Sequence, residues 1–370
     1  MTGKKLLFYV TEDWYFCSHR LPLAIAAREA GYEVAVLTHV DKHGEVIRHS
    51  GLRLIPLPSS CRGMNIAKDL RTIFDLIRIY ARERPELVHH VAVKPTLYGS
   101  LAAIVTGING VVNALAGMGW IFTSNSRRAR IIKAMVRLAF RLLLRNTHVI
   151  VQNPDDEGLV RSLSLSKVHV IKGSGVDISV FRPSPERGGV PMIVLPARML
   201  WDKGVGEFVE AARYCLAQGC EARFVLVGGA DDQNPAGVAV ETLRGWNAEG
   251  IIEWWGQSDE MPQVYRQAHI VCLPSYREGL PKVLLEAAAS ARPIVATDVP
   301  GCREIVKDGV NGLLVPVRDA VALGEALARL IADPVLRGNM GARGRDIVVT
   351  EFSQQCVNYQ TMALYDEIRA

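Results

Sequence analysis

Hydrophobic and polar positions follow two patterns that alternate along the whole chain. Short, almost wholly apolar runs, such as Met192–Pro196 and Ile270–Leu273, are separated by longer stretches, such as Ile66–Arg84, in which apolar residues recur every three or four positions. The first pattern is typical of strands buried on both faces of a parallel sheet, and the second of amphipathic helices. The alternation therefore predicts an α/β protein with parallel sheets.

The predicted strands fall into two series along the chain. The first series comprises Lys5–Val10, Glu33–Leu37, Leu52–Leu57, Leu87–Val91, Val111–Leu115, Val149–Val151 and Val168–Ile171. The second series comprises Met192–Pro196, Phe224–Val227, Ile251–Trp255, Ile270–Leu273, Ile294–Ala296 and Leu313–Val315.

A segment rich in glycine and proline, Gly173–Gly189, separates the two series and has neither periodicity. Such a segment is typical of a linker. We therefore expect two Rossmann-like domains facing a central cleft, an N-terminal one over 1–182 and a C-terminal one over 190–350. Residues 351–370 are expected to form a helix that packs back on the N-terminal domain. In such sheets, ligands bind beyond the carboxyl ends of the strands.

Composition narrows the classes of function. The chain has 370 residues, of which 49% are hydrophobic and 22% charged, so it can bury the cores of two domains. Its seven cysteines are scattered without metal-ligand spacing, which is typical of reduced thiols in a cytosolic protein. There is no GxGxxG after a strand, no P-loop and no Asp-x-Asp pair. We therefore expect neither a catalytic metal nor another cofactor.

The most informative segment is Tyr276–Glu286, which places two carboxylates across the start of a predicted helix. Glu278 lies in the turn, Pro281 suits the first helical position, and Glu286 interrupts an otherwise apolar helix. Helix-start N–H groups suit an anion, and carboxylates suit hydroxyl groups. An anion flanked by hydroxyls describes a nucleotide-sugar. The alternative is a core helix in which Glu278 caps the start and Glu286 reaches solvent.

Two cations, Arg198 and Lys203, lie in the loop after the second domain's first strand, on the same predicted edge as Glu278. Cations there could stabilise the charge of a departing diphosphate. The alternative is a pair of solvated loop cations. Gly228 ends the next strand, where a small residue allows a ligand to approach the backbone.

Rim positions of the first domain also carry candidate side chains. His89 and His90 end the fourth strand, Lys94 opens the following helix, and His19 and Arg20 lie in the loop after the first strand. These residues could meet a donor or an acceptor, although a lone histidine is more often structural.

A basic helix is predicted over Arg127–Arg145, which contains no acidic residue. One face of it carries Arg130, Lys133, Arg137 and Arg141, and the other faces are apolar. Such a helix can lie on an anionic membrane surface. The alternative is a helix that buries its apolar face in the domain and exposes its cations to solvent. Nucleic acid is disfavoured because no recognised binding module accompanies the charge.

The motifs of the second domain resemble the retaining glycosyltransferases of family 4, which have the two-Rossmann GT-B architecture. The resemblance is carried by Gly175-Val-Asp177 with Phe181-Arg-Pro183, Arg198 with Lys203, Pro274–Glu286, and Pro300-Gly301 with Glu304. It implies that Arg198 and Lys203 hold the donor diphosphate and that Glu286 binds the ribose hydroxyls. It also implies a role beside the transferred sugar for His90, Glu278, Gly279, Leu280, Pro281 and Lys282.

The first domain resembles bacterial transferases that extend polyprenyl-diphosphate-linked sugars. The matching motifs are Ser18-His-Arg-Leu-Pro-Leu23, His89-His90 with Lys94-Pro95 and Tyr98-Gly-Ser100, and Gly117-Met-Gly119 with Phe122. The resemblance implies a UDP-sugar donor (UDP-GalNAc, UDP-GlcNAc or UDP-Gal), an acceptor near His19, Arg20 and Lys94, and peripheral attachment to the inner face of the cytoplasmic membrane. The Gly-Gly loop common in family 4 is replaced by Thr11–Tyr15, so no donor contact is assigned to that loop.

Two other functions remain open on the sequence alone. A non-hydrolysing nucleotide-sugar epimerase would share the two-domain shape but would need acid and base groups at the sugar ring. A non-catalytic nucleotide-sugar-binding scaffold at the membrane would not need the full set of Arg198, Lys203, Glu278 and Glu286, all of which are present.

Overall fold

A computed structural model describes residues 4–57, 66–115, 127–163, 166–231 and 234–369. Residues 116–126, which carry the Gly117-Met-Gly119 motif, lie outside these ranges. The described chain divides into two compact units, one comprising Met1–Ser174 with Val357–Ala370 and the other comprising Gly175–Cys356.

The described strands of the first unit form a seven-stranded parallel sheet in the order β3-β2-β1-β4-β5-β6-β7. These strands are β1 (Lys4–Glu12), β2 (Tyr32–His39), β3 (Arg53–Pro56), β4 (Leu87–Val91), β5 (Gly110–Ala114), β6 (His148–Val151) and β7 (Lys167–Val170). The helices are α1 (Asp13–His19), α2 (Leu21–Glu29), α3 (Gly44–His49), α4 (Ile66–Glu83), α5 (Val93–Thr106), α6 (Arg127–Leu143) and α7 (Pro154–Leu163).

The described strands of the second unit form a six-stranded parallel sheet in the order β10-β9-β8-β11-β12-β13. These strands are β8 (Met192–Pro196), β9 (Arg223–Val227), β10 (Glu253–Trp254), β11 (Ile270–Leu273), β12 (Ile294–Thr297) and β13 (Gly312–Val315). A 3₁₀ turn (Trp201–Lys203) precedes α8 (Val205–Ala217), and α9 (Val240–Ala248), α10 (Met261–Gln267), α11 (Lys282–Ala289), α12 (Pro300–Ile305), α13 (Ala320–Ala332) and α14 (Pro334–Ile347) follow.

Both sheets carry helices on their two faces, which explains why the strands are mostly apolar. In the second unit, α11 and α12 pack over one face and α8 and α13 over the other. The predicted fold class, two Rossmann-like α/β units, is confirmed. The predicted strands all occur, with ends shifted by a few residues at most.

The end of the first predicted domain differs from the structure. Residues 175–182 pack with the second unit, because the Val176 N–H donates to the Phe352 carbonyl and Phe181 is buried against Tyr265. After a π-helical turn (Val348–Phe352), the last helix, α15 (Gln354–Arg369), crosses the boundary between the units. From Val357 onward it belongs to the first unit, where the Tyr365 hydroxyl bonds to Nδ1 of His89.

In the part of the chain that the structure describes, no helix is both long enough and apolar enough to span a bilayer.

Candidate active site

In the second sheet, the order in which successive strands are added reverses between β8 and β11. The loops after these two strands carry the main candidate residues. The strand order β9-β8-β11-β12 means that the chain leaves β8 and β11 toward opposite faces. Such a switch point opens a crevice at the carboxyl edge of the sheet, where ligands of α/β proteins bind. Lys203 follows β8 and Glu278 follows β11. Their side chains meet, since the Lys203 ammonium lies 2.6 Å from Oε1 of Glu278.

The Lys203–Glu278 pair is mostly buried, with the two side chains 26% and 11% exposed. An ion pair shielded in this way is screened less than a surface pair. The buried thiol of Cys302 lies within electrostatic reach of both partners. Glu278 therefore pairs with a cation, and the helix-capping role weighed for it does not occur, since Pro281 occupies the N-cap of α11 and makes no side-chain cap bond.

The second predicted carboxylate, Glu286, is buried inside α11. The helix begins at Lys282, so Pro281 is the residue before it and not its first residue. Glu286 is 7% exposed and does not extend into solvent. Its Oε2 lies 3.1 Å from the Tyr265 hydroxyl, and its Oε1 lies 3.8 Å from the Lys282 ammonium. Burial raises the pKa of the Glu286 carboxyl, while Lys282 and Tyr265 act against that rise.

Arg198 lies on the same edge but remains accessible. Its guanidinium is 2.9 Å from Oδ2 of Asp231, which follows β9, and its side chain is 64% exposed. An exposed guanidinium can exchange this carboxylate for a phosphate without a large desolvation cost. The sequence did not point to Asp231 as its partner.

Two glycines hold the backbones of the site loops close together. A Cβ at Gly228 would lie 1.7 Å from the Ala197 carbonyl oxygen, so no larger residue fits after β9. A Cβ at Gly301, in the first turn of α12, would lie 2.4 Å from the Gly279 carbonyl oxygen. The loop carrying Glu278 therefore rests directly on the start of α12, which explains why a glycine follows Pro300.

The structure corrects the catalytic assignment of His90. Its side chain is completely buried, and Nδ1 lies 2.8 Å from Oδ1 of Asn113 while Nε2 lies 2.9 Å from the Tyr80 hydroxyl. An amide oxygen only accepts, so Nδ1 carries the proton and Tyr80 donates to Nε2. Burial lowers the pKa of His90 to about 4. His90 is therefore a neutral, fully bonded part of the sheet interior and does not present its ring to a sugar.

The acceptor-side candidates occupy different environments in the first unit. The His19 ring stacks on Tyr15 at 4.2 Å, and the Lys94 ammonium lies 3.0 Å from Oδ1 of Asp69. Arg20 is 5% exposed, and its Nη1 lies 3.4 Å from the Gly173 carbonyl oxygen. These side chains are not presented as one solvent-facing group, and their roles toward an acceptor stay predictions.

Among the described residues, no group of three or more histidine, cysteine, aspartate or glutamate side chains is arranged to hold a metal ion.

Sequence reasoning missed the residues that hold the site together. The Tyr265 hydroxyl donates to the predicted carboxylate Glu286, and the Tyr276 hydroxyl donates to Glu207. Each tyrosine lies far from its partner along the chain. Tyr276 lies inside the segment Tyr276–Glu286, but nothing in that segment indicates that its hydroxyl donates to Glu207. Only spatial contact identifies these residues.

Comparisons with known families place both units. The family described as "Glycosyl transferase 4-like" matches residues 5–153, and the family described as "Glycosyl transferases group 1" matches residues 190–333. The two matches follow one another along the chain and correspond to its two units.

Two curated relatives match most of the chain. An N,N'-diacetylbacillosaminyl-diphospho-undecaprenol alpha-1,3-N-acetylgalactosaminyltransferase of Campylobacter jejuni is 27% identical over 365 residues, covering 94% of this chain and 95% of the relative. A UDP-Gal:alpha-D-GlcNAc-diphosphoundecaprenol alpha-1,3-galactosyltransferase of Escherichia coli is 25% identical over 317 residues, covering 82% of this chain and 80% of the relative.

Solved structures share the fold. Sucrose-phosphate synthase from Thermosynechococcus elongatus superposes with a TM-score of 0.79 at 23% identity, covering 99% of each chain. Anabaena HepE, solved in complex with UDP, superposes with a TM-score of 0.80 at 16% identity, covering 98% of this chain and 100% of the other. Three findings agree: the fold, the order of the two family matches along the chain, and the relatives that are similar over most of its length. This chain is therefore an enzyme of the GT-B fold and belongs to the family 4 kind of glycosyltransferases.

Proposed function

We propose that this glycosyltransferase moves a hexose or an N-acetylhexosamine from a UDP-sugar to a polyprenyl-diphosphate-linked saccharide, with retention of the anomeric configuration and without a metal ion. The observation that carries the proposal is the Lys203–Glu278 pair, 2.6 Å apart, at the switch point of the second sheet. The donors considered are UDP-GalNAc, UDP-GlcNAc and UDP-Gal. The two relatives named above transfer N-acetylgalactosamine and galactose to undecaprenyl-diphosphate-linked sugars.

The donor is assigned to the carboxyl edge of the second sheet. Lys203 and Arg198 neutralise the diphosphate, and the N–H groups at the start of α11 add a partial positive charge. Glu286 accepts hydrogen bonds from the ribose hydroxyls. Gly228 leaves room for the backbone to approach the nucleotide. Glu278, Gly279, Leu280, Pro281 and Lys282 face the sugar, and Glu278 fixes the Lys203 ammonium until the diphosphate arrives.

Transfer proceeds in one direct step. The bond between the anomeric carbon and the diphosphate oxygen breaks, and its electron pair leaves with UDP. The acceptor hydroxyl oxygen bonds to the anomeric carbon from the face of departure, and its proton passes to the departing phosphate. The transition state has oxocarbenium character, as in other glycosyl transfers. Positive charge at the leaving group lowers the barrier, and losing one such donor costs about 10²–10³ in rate.

In this proposal, α6 attaches the protein to anionic lipids on the inner face of the cytoplasmic membrane. The helix packs Val136 and Phe140 into its unit, and Leu144 directly after it is buried as well, as in the alternative that the sequence left open. However, it also exposes a second apolar row, since Met135, Leu138 and Leu142 are 65%, 59% and 66% exposed. Exposed Arg137 and Arg141 flank this row.

An exposed apolar row flanked by cations has the chemistry of a helix lying in an anionic lipid interface. Arg130 and Lys133 belong to the same helix, but their side chains lie outside the described residues. A polyprenyl-linked acceptor is itself held in a bilayer, so attachment there would bring the enzyme to its acceptor. Among first-unit residues, His19, Arg20 and Lys94 are assigned to the acceptor side.

The deciding experiment incubates the purified protein with each UDP-sugar and extracted polyprenyl-diphosphate glycans, with EDTA present, and analyses the lipids by mass spectrometry. We expect one glycan to gain a single hexose or N-acetylhexosamine with wild-type protein, and to gain it about 10²–10³-fold more slowly with Lys203→Ala. NMR of the product gives the anomeric configuration. Isomerised donor without transfer would indicate an epimerase. UDP binding without turnover on any acceptor would indicate a scaffold.

A further inference from the structure

Tyr276 joins the two loops that carry Lys203 and Glu278. Its backbone N–H donates to the carbonyl of Asp202, the neighbour of Lys203, at 2.9 Å, and it lies two residues before Glu278. A second contact lies beside it, because a Cβ on Gly204 would fall 2.2 Å from the Pro274 carbonyl oxygen. The loop after β8 and the loop after β11 therefore touch backbone to backbone at this residue.

The Tyr276 side chain adds a third connection, to the first turn of α8. Its hydroxyl donates to Oε1 of Glu207 at 2.7 Å. Burial, and then Glu207, raise the pKa of Tyr276 to about 12, so the phenol keeps its proton and donates at neutral pH. The Arg318 guanidinium lies 4.5 Å from the ring centroid, which holds the ring from the side of the loop after β13.

The Glu207 carboxylate depends on this bond. Its other carboxylate oxygen, Oε2, is buried and has no hydrogen-bond partner among the described residues. A carboxylate that gives up part of its hydration loses stability unless a donor compensates for it. The Tyr276 hydroxyl is such a donor. Removing either side chain therefore leaves the other, which is half-buried, without its hydrogen-bond partner.

We infer that Tyr276 and Glu207 are positioning residues that fix the Lys203–Glu278 pair in its 2.6 Å geometry. Neither is assigned a contact with the substrate. Their effect is to place a cation and a carboxylate, carried by loops far apart in sequence, where the donor diphosphate and sugar bind. Displacement of a catalytic group by about 1 Å can cost about 10² in rate. The inference rests on the proposed function for the role of the pair.

The test compares five variants, two of them controls, by steady-state kinetics with a UDP-sugar. Tyr276→Phe keeps the ring and its Arg318 contact but removes the hydroxyl, and Glu207→Ala removes the acceptor. We expect each to lower kcat by about tenfold or more when assayed well below the melting temperature, with the KM for the acceptor nearly unchanged. The unmet hydrogen bond should lower the melting temperature by only a few degrees. The double variant should be no worse than either single one, because both remove the same bond.

Two further variants serve as controls. Glu207→Gln keeps an oxygen that accepts from the hydroxyl, so it should retain most of the activity. Tyr359→Phe removes a phenol that is 77% exposed on α15 and should behave as wild type. Wild-type kcat in Tyr276→Phe, multiplicative losses in the double variant, or losses that merely follow a lowered melting temperature would each overturn the inference.

UDP calorimetry separates this inference from the proposed function. If wild-type protein binds no UDP, or Lys203→Ala binds it as tightly as wild type, the proposed donor site is wrong. If Lys203→Ala weakens UDP binding while Tyr276→Phe keeps both wild-type UDP affinity and wild-type kcat, the donor site stands and the positioning role alone is rejected.

Discussion

The Tyr265 hydroxyl lies 3.1 Å from Oε2 of Glu286, inside the core of the second unit. Glu286 is thereby held between a buried phenol on one side and the Lys282 ammonium on the other. Burial raises the pKa of the Glu286 carboxyl, and it also strongly raises the pKa of Tyr265, which therefore remains a donor. Burying a carboxylate costs free energy, so a buried carboxylate such as Glu286 is expected to bind a ligand.

Glu286→Gln should weaken UDP binding by about 10-fold to 100-fold, because hydrogen bonds from the ribose hydroxyls to a carboxylate are stronger than those to an amide. The pH dependence follows from the raised pKa of Glu286. UDP affinity should be full above that pKa and should fall as the pH drops through it, at a higher pH than for an ordinary glutamate.

Calorimetric titrations of wild type and Glu286→Gln across the acidic range check both points, and their difference removes the titration of UDP itself. The variant should lack the wild-type pH step. An identical step in both proteins would remove Glu286 from the UDP site.

Lys203→Ala should lower kcat by about 10²–10³, since the ammonium is assigned to the leaving diphosphate. It also leaves Glu278 without its cation, which is 2.6 Å away in the wild type. Arg223→Ala is the matched control, because this cation pairs with Glu253 at the amino end of β9, on the opposite edge of the same sheet. Steady-state rates and thermal melting should show a large rate loss only for Lys203→Ala; equal activity of the two variants would exclude Lys203 from the site.

Gly301→Ala should impair catalysis through the backbone of the Glu278 loop. The added methyl would lie 2.4 Å from the Gly279 carbonyl oxygen and 2.7 Å from that of Glu278, and neither is the flexible end of a side chain. The loop must therefore move, and we expect at least a tenfold loss of kcat. Gly245→Ala, on a helix position with open space around it, is the control. Retention of full activity in Gly301→Ala would show that the loop can shift without consequence.

Much of the fold could be predicted from the sequence, because strands buried on both faces are mostly apolar. Met192–Pro196 and Ile270–Leu273 were located to the residue for this reason. Burial on both faces is also the reason why the environment of the His90 side chain could not be predicted. In a strand covered on both faces, alternation does not show which side chains reach an edge or a ligand. His90 lies in such a strand and bonds to Tyr80 and Asn113, which belong to two different elements.

The candidate site was predicted in its residue types but not in its connections. Glycine, proline and glutamate after a strand mark a helix start, which is local information. The pairing of Lys203 with Glu278 joins positions 75 residues apart and depends on the order of β8 and β11 in the sheet. The bond from Tyr276 to Glu207 depends on the rotation of α8 as well. Neither relationship follows from local periodicity.

Acidification should destabilise the first unit through His90. Burial lowers its folded-state pKa from 6.5 to about 4, so the neutral ring is favoured and the stability it confers is present above the unfolded-state pKa. That stability is lost as the pH falls from 6.5 toward 4, and the loss between about pH 7 and about pH 5 should be on the order of 2 kcal/mol. Urea unfolding at both pH values, for wild type and for His90→Gln, tests this. The variant should lose less stability on acidification; equal losses would mean that His90 titrates normally.

The exposed apolar row of α6 should contribute to membrane binding independently of the cations beside it. Leu138→Gln with Leu142→Gln removes apolar area that is available to the lipid interface and leaves Val136 and Phe140 in the core. Arg137→Glu with Arg141→Glu removes the attraction to anionic lipid, worth about 1 kcal/mol per cation near the surface. We expect the leucine variant to bind anionic vesicles about tenfold more weakly in sedimentation, and the arginine variant about 30-fold or more. Salt should weaken the binding of wild type and of the leucine variant but have little effect on the arginine variant.

The matched control is Leu216→Gln, which alters a leucine that is 40% exposed on α8 of the second unit. It should sediment as wild type does. A short, soluble acceptor separates binding from chemistry, because all three variants should glycosylate it at the wild-type rate if α6 acts only at the membrane. Unchanged sedimentation of both double variants would assign the arginines and the exposed leucines to an ordinary solvated helix face.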